Sequence, residues 1–193
     1  MKKIIFSLAL LALAPMAQAV TVTYFATLSG PAEAPPVASP GVGTATVTLD
    51  LDLATMKVDV EFSGLVGTVT VAHIHGPTAT AGTGTGSVIT TTPTFVGFPS
   101  GVTSGTYSQA FDMTSTSSYR AGFITANGGT TSGAFNALSA ALNDGKAYMN
   151  IHTSAFPCGE IRGFLAEVPE PGTTVLGLLS GAVLMRRRRT ARN

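Results

Sequence analysis

The feature that most constrains the fold is a strict two-residue alternation that recurs in two neighbouring stretches. From Gly43 to Asp52, Ala45, Val47, Leu49 and Leu51 take one parity, while Thr44, Thr46, Thr48, Asp50 and Asp52 take the other. Lys57 to Phe62 repeats the pattern, with Val58, Val60 and Phe62 against Lys57, Asp59 and Glu61. Successive side chains of a strand point to opposite faces. The two stretches therefore read as half-buried antiparallel strands joined by a short turn at Leu53 to Thr55.

The rest of the chain fits around them. Thr21 to Leu28 reads as a first strand, and Ser29 to Pro40 carries four prolines, which excludes a central strand there. Pro77 to Thr94 reads as a long loop with one short strand at Ser87 to Thr91, and Gly105 to Met113 as a further strand. Ser115 to Thr125 and Ser132 to Leu142 are the helical candidates. In the second, Phe135, Leu138 and Leu142 recur at helical spacing before the stop Asn143-Asp144-Gly145. Strands from Ala147 to His152 and from Gly159 to Val168 complete the series. The fold expected is all-β: an antiparallel β-sandwich or flattened barrel with a short helical insertion before the penultimate strand.

The chain has three histidines, and two stand two residues apart in His73-Ile74-His75-Gly76-Pro77. In a strand these two share a face. His152 ends the later strand-like run, so if the two strand ends meet, three neutral imidazoles converge and can bind one metal ion. The alternative is two surface histidines at a turn and an unrelated third. Val69 and Val71 are in phase with His73 and His75, which leaves two outcomes open: a histidine pair at the mouth of the core, or a bulge that turns it outward. Asn150, in phase with His152, can orient an imidazole through its second ring nitrogen, as can Glu160 and Arg162 at i and i+2 of the last strand. A structural charge pair is the plainer role for Glu160 and Arg162. Cys158, in a Pro-Cys-Gly turn, is a free thiol or a soft ligand for Cu(I). Glu33 has no catalytic partner in the sequence and reads as structural. No Ser-His-Asp order, phosphate-binding loop or paired carboxylates are present, so no catalytic residue is assigned.

The two ends read as addresses. Met1 to Ala19 combines Lys2 and Lys3, an apolar run from Ile4 to Ala14 and a small-x-small site, Ala17-Gln18-Ala19. This is a secretory signal peptide cut before Val20; its apolar run is too short for a bilayer core of roughly 30 Å. The other end runs Val168-Pro169-Glu170-Pro171-Gly172, an apolar stretch from Thr173 to Met185, and Arg186 to Arg189. At about 1.5 Å per residue that stretch makes a helix of roughly 20 Å, a marginal and transient membrane anchor with a basic stop. Pro169, Glu170 and Pro171, followed by the apolar run and the arginine cluster, resemble the PEP-CTERM sorting signal of exported proteins in Gram-negative bacteria. The resemblance implies recognition by an exosortase-type sorting enzyme, transient anchoring in the inner membrane, and delivery to the cell surface or extracellular matrix, where exopolysaccharide is a candidate partner. The organisation expected is a signal peptide at 1–19, one domain at 20–167 and a sorting signal at 168–193.

Once both ends are set aside, the charge changes sign. Between Val20 and Val168 stand four cations, Lys57, Arg120, Lys146 and Arg162, against nine acids, a net of −5. Such a domain lacks the cationic footprint that phosphate neutralisation needs, so nucleic acid is not an expected partner. A single cysteine excludes an internal disulfide, leaving the core or a bound ion to stabilise an exported domain.

Several segments together resemble the CHRD (chordin-type) domain. They are Leu28-Ser29-Gly30 through Glu33-Ala34-Pro35-Pro36-Val37, Gly43-Thr44-Ala45, Phe62-Ser63-Gly64-Leu65, Ala72-His73-Ile74-His75-Gly76-Pro77, Gly145 to Thr153, and Pro157-Cys158-Gly159-Glu160-Ile161-Arg162-Gly163. The resemblance implies a secreted, non-enzymatic binding or structural domain. The placing of the histidines is also similar to the copper half of Cu/Zn superoxide dismutase, which implies copper at His73, His75 and His152 and, as the alternative function, a copper redox enzyme. The chain departs from that pattern in having no fourth histidine to bridge a second metal, no zinc-ligand loop and no partner for Cys158. What the similarity then implies is a mononuclear site for one copper ion in preference to zinc.

Overall fold

The computed structural model describes residues 20–169. The expected signal peptide at 1–19 and the expected sorting signal from Glu170 onward lie outside the described residues.

Both alternating stretches form strands, the second longer than its pattern required. β1 (Thr21–Ser29), β2 (Val42–Asp50) and β3 (Thr55–Ser63) are nine residues each. They pair antiparallel over their full length, from Thr21↔Asp50 to Ser29↔Val42 and from Val42↔Ser63 to Asp50↔Thr55. β2 stops earlier than its alternation suggests. Asp50 Oδ1 accepts the backbone N–H groups of Asp52 and Leu53, which turns the chain, and Leu51 stands exposed instead of facing the core.

β4 (Val69–His75), β5 (Gly105–Asp112), β6 (Tyr148–Thr153), β7 (Ile161–Phe164) and β8 (Ala166–Glu167) complete one antiparallel sheet. Its order is β4-β6-β7-β1-β2-β3-β5, with β8 beside β1. The antiparallel β class holds, but the architecture is one sheet curled over its own apolar face as a half-barrel, not two facing sheets. The expected last strand, Gly159 to Val168, is broken into β7 and β8. The break falls at Leu165, whose side chain tucks fully into the core and whose N–H donates to the carbonyl of Ala147.

The helical insertion is where the periodicity placed it, before β6. α1 (Ala121–Ala126) is a short turn of helix. α2 (Thr131–Asn143) begins one residue earlier than its pattern because the Thr130 hydroxyl accepts the Gly133 N–H as an N-cap. Ala134, Phe135, Leu138, Ala141 and Leu142 join Tyr24, Leu28, Val47, Leu49, Met56, Val58 and Phe62 in one hydrophobic core. Among the described residues, no helix is long and apolar enough to cross a membrane.

The long segment between β4 and β5 does not hang free. It bonds along the outer edge of β4, with N–H donors at Gly76, Ile89, Phe95 and Gly101 reaching carbonyls of Ser87, Ile74, Ala72 and Val69. The strand expected at Ser87 to Thr91 is reduced to isolated bridges at Val88 and Thr90. This covering removes one exposed sheet edge and lays backbone carbonyls over the histidine face.

Candidate metal centre

The parity question is settled by a bulge. In β4, Val69 pairs with Thr153 but Val71 pairs with His152, so Thr70 is an extra residue. Past it the phase flips: Ala72 and Ile74 are wholly buried in the core, while Val71, His73 and His75 face the other side of the sheet. β6 presents Met149 and Ile151 to the core, leaving Tyr148, Asn150 and His152 on the histidine side. Register then brings the strands' polar residues together, with His75 opposite Tyr148 and His73 opposite Asn150. Asn150 is in turn opposite Arg162 of β7.

Each imidazole is pinned through one nitrogen to a backbone carbonyl. His73 Nε2 donates to Pro93 O at 2.8 Å, His75 Nδ1 to Gly86 O at 3.0 Å and His152 Nδ1 to Pro157 O at 2.9 Å. A carbonyl only accepts, so these bonds set the tautomers, and each neutral ring keeps one lone pair. The lone-pair atoms are His73 Nδ1, His75 Nε2 and His152 Nε2. They face one another, 3.2 Å between the first two and 3.4 Å between the last two, and all lie within 4.8 Å. Three acceptors thus converge with no donor among them. Metal–nitrogen bonds of about 2.0–2.1 Å at tetrahedral angles separate their nitrogens by roughly 3.3 Å, which matches the two short edges.

The electrostatics keep the rings ready. Burial, with the neighbouring imidazoles adding to it, lowers the His73 pKa to about 4. Burial likewise brings His75 to about 4, helped by His152 and Arg162 and opposed by its bond to Gly86. His152 is lowered by burial against its bond to Pro157. At neutral pH all three are uncharged, the form that binds a metal ion.

A shell of side chains supports the centre. Tyr148 stacks on His75 at 5.1 Å with the rings 10° apart, and its hydroxyl accepts the Gly86 N–H at 3.2 Å, next to the carbonyl that holds His75. The Arg162 guanidinium lies 4.8 Å from the centre of the Tyr148 ring, over the ring. Arg162 donates to the carbonyls of Ala32 and Gly84. Its carboxylate neighbour is Glu33, at 3.8 Å, with both side chains 5% exposed.

A model of the CHRD domain matches residues 24–165. The chain belongs to the CHRD family. No curated protein and no solved structure matches it. Membership points to a binding or structural domain. In this CHRD domain the segments around Glu33, His73, Tyr148 and Arg162, far apart in sequence, meet around the three imidazoles.

The CHRD structure brings together some of the candidate residues and separates others. His73, His75 and His152 form one cluster, with Asn150 and Arg162 on the same face. Glu160 is not beside Arg162. Its Oε1 accepts from Ser39 Oγ and Val66 N, and its Oε2 from Gly67 N and Thr153 Oγ1, so it ties two loops to β6. Burial raises its pKa, but these four bonds outweigh that and hold the carboxyl below its ordinary value. Cys158 is exposed and outside the converging ligand group. Pro169 stands at the end of the described residues; Glu170 and Pro171 lie beyond them.

Three features escaped the sequence. The carbonyls of Gly86, Pro93 and Pro157 carry no residue-type signal. Tyr148 could have been found from its parity with Asn150 and His152. Glu33 and Arg162 are 129 positions apart, so only the fold shows that they pair.

Proposed function

We propose that this CHRD domain binds one metal ion, copper by donor type, through His73 Nδ1, His75 Nε2 and His152 Nε2. We propose further that it serves as a non-enzymatic binding or structural module, exported and sorted to the cell surface or extracellular matrix. The observation that carries the metal reading is the convergence of three lone pairs whose opposite ring nitrogens all donate to carbonyls. Facing acceptors repel unless a cation sits among them. Imidazole suits copper and zinc alike, and divalent affinity peaks at copper. Export rests on the Lys2-Lys3, apolar and Ala17-Gln18-Ala19 pattern. Sorting by an exosortase-type enzyme, with transient inner-membrane anchoring, rests on Pro169-Glu170-Pro171 and the arginine block.

The test is metal content by mass spectrometry after expression with copper and zinc both supplied. The expected result is one copper per chain, lost in His73→Ala, His75→Ala and His152→Ala. Full occupancy in any one of these variants, or an empty wild-type protein, would overturn the shared site. Cell fractionation with and without residues 168–193 tests sorting: the intact protein should reach the surface fraction and the truncated one should not.

A further inference from the structure

The metal site contains no carboxylate among its described ligands, so an entering divalent cation brings two positive charges beside Arg162 with nothing in the ligand set to balance them. The carboxylate beside Arg162 is Glu33. Three observations describe its state. Glu33 Oε1 is buried without a hydrogen-bond partner, and so is Asn150 Oδ1. Both pack on Gly159, where a Cβ would stand 2.6 Å from the first and 2.7 Å from the second. Arg162, meanwhile, spends its Nε and Nη1 hydrogens on the carbonyls of Ala32 and Gly84 and leaves Glu33 Oε2 at 3.8 Å, beyond hydrogen-bond reach. An ionised, desolvated carboxylate beside a guanidinium would be expected to take those hydrogens. A proton on the Glu33 carboxyl would give these two orphan acceptors a donor.

We propose that Glu33 is the counter-charge of the metal centre: neutral and protonated in the metal-free protein, donating toward Asn150, and ionised when the three histidines take up a divalent cation. The proposal rests on the three-histidine reading. The exchange balances as one metal ion in and one proton out, the O–H bond of the Glu33 carboxyl breaking and its proton passing to solvent. Asn150 links the two sites, being the cross-strand partner of both His73 and Arg162 and two residues before His152. Of the groups packed on Glu33, Arg162 from β7 is charged, while Asn150 from β6 and Gly159 from the preceding turn are neutral. Burial, opposed by Arg162 and by the backbone N–H of Ala34, raises the Glu33 pKa to about 7, which agrees with a proton retained below neutrality. His73 and His75, already neutral at about pH 6, release none, and any proton that His152 gives up is common to wild type and Glu33→Gln.

The experiment is calorimetric titration of the purified protein with copper(II) at about pH 6, in non-coordinating buffers of different ionisation enthalpy, for wild type and Glu33→Gln. Wild type should release close to one proton per copper more than the variant, and the excess should fall to roughly a tenth at about pH 8. Infrared spectra give a second readout. The metal-free wild type should show a protonated-carboxyl band that copper removes and that Glu33→Gln lacks. Copper binding with equal proton release in both proteins, or no such band in the metal-free wild type, overturns the counter-charge; a Glu33 already ionised and bonded by a rotated Asn150 amide gives that outcome. If wild type binds no copper, the three-histidine site falls and this proposal falls with it.

Discussion

At the scale of single residues, two buried carboxyls are shifted in opposite directions, Glu33 beside the site and Glu160 away from it. Glu33 has a raised folded pKa, so between its ordinary value and about 7 the folded chain holds a proton that the unfolded chain releases. Stability of the metal-free protein therefore falls as pH rises through that window, by about 3 kcal/mol in all. Glu33→Gln removes this loss. Its stability relative to wild type should grow by about that amount between pH 5 and pH 8 in urea unfolding, and a pH-independent difference would contradict the account. Glu160 has a lowered folded pKa, so its contribution is present above the unfolded value and is lost as pH falls through the folded one. Glu160→Gln should cost about 1–3 kcal/mol at neutral pH, a deficit that narrows in acid. Gly159 has φ 128° and no room for a Cβ beside Glu33 and Asn150. Gly159→Ala should lose about 1–3 kcal/mol from backbone strain and weaken metal retention; an unchanged unfolding midpoint would show that the cluster is looser than described.

At the scale of elements, the phase of β4 from Val71 onward decides whether there is a site at all. A one-residue slip exchanges the two faces of a strand. Deleting Thr70 leaves Val69 opposite Thr153 and Val71 opposite His152 in regular alternation, so the histidines should stay on their face and metal should still bind. Inserting an alanine between Ala72 and His73 should turn both imidazoles toward the core and abolish binding; metal retained after that insertion would contradict the assignment of faces. The same bulge marks the limit of what was readable from residues alone. His73, His75 and His152 were legible as strand-end residues, and the β1–β2–β3 meander was legible from its alternation, because both depend on local periodicity. The direction of the histidine pair was not, because a single extra residue in an otherwise regular run carries no compositional mark. The Glu160–Arg162 pairing inferred from i and i+2 spacing failed for a related reason. Glu160 lies just before β7 and is captured by the N–H groups of Val66 and Gly67, while Arg162, inside the strand, reaches across to Glu33.

At the scale of the whole molecule, one curled sheet separates two jobs. Its inner face, closed by α2, supplies the apolar core, and its other face at the β4–β6–β7 side carries the polar centre. Alternation along strands predicts two faces but not how many sheets share them, so one sheet and two facing sheets were equally compatible with the pattern. The division has an energetic consequence. A ligand bound by the folded state alone stabilises by mass action, about 4 kcal/mol at a thousandfold excess over its dissociation constant. Copper should therefore raise the unfolding temperature of the wild-type protein and leave that of His152→Ala unmoved. The central claim, that the three histidines hold one ion through the nitrogens their carbonyl bonds leave free, is met most directly by X-ray absorption of the copper-loaded protein. Three imidazole nitrogens at about 2.0 Å, with the outer-shell scattering of intact rings, is the predicted spectrum. A first shell dominated by sulfur, or one with fewer than three imidazoles, would contradict it.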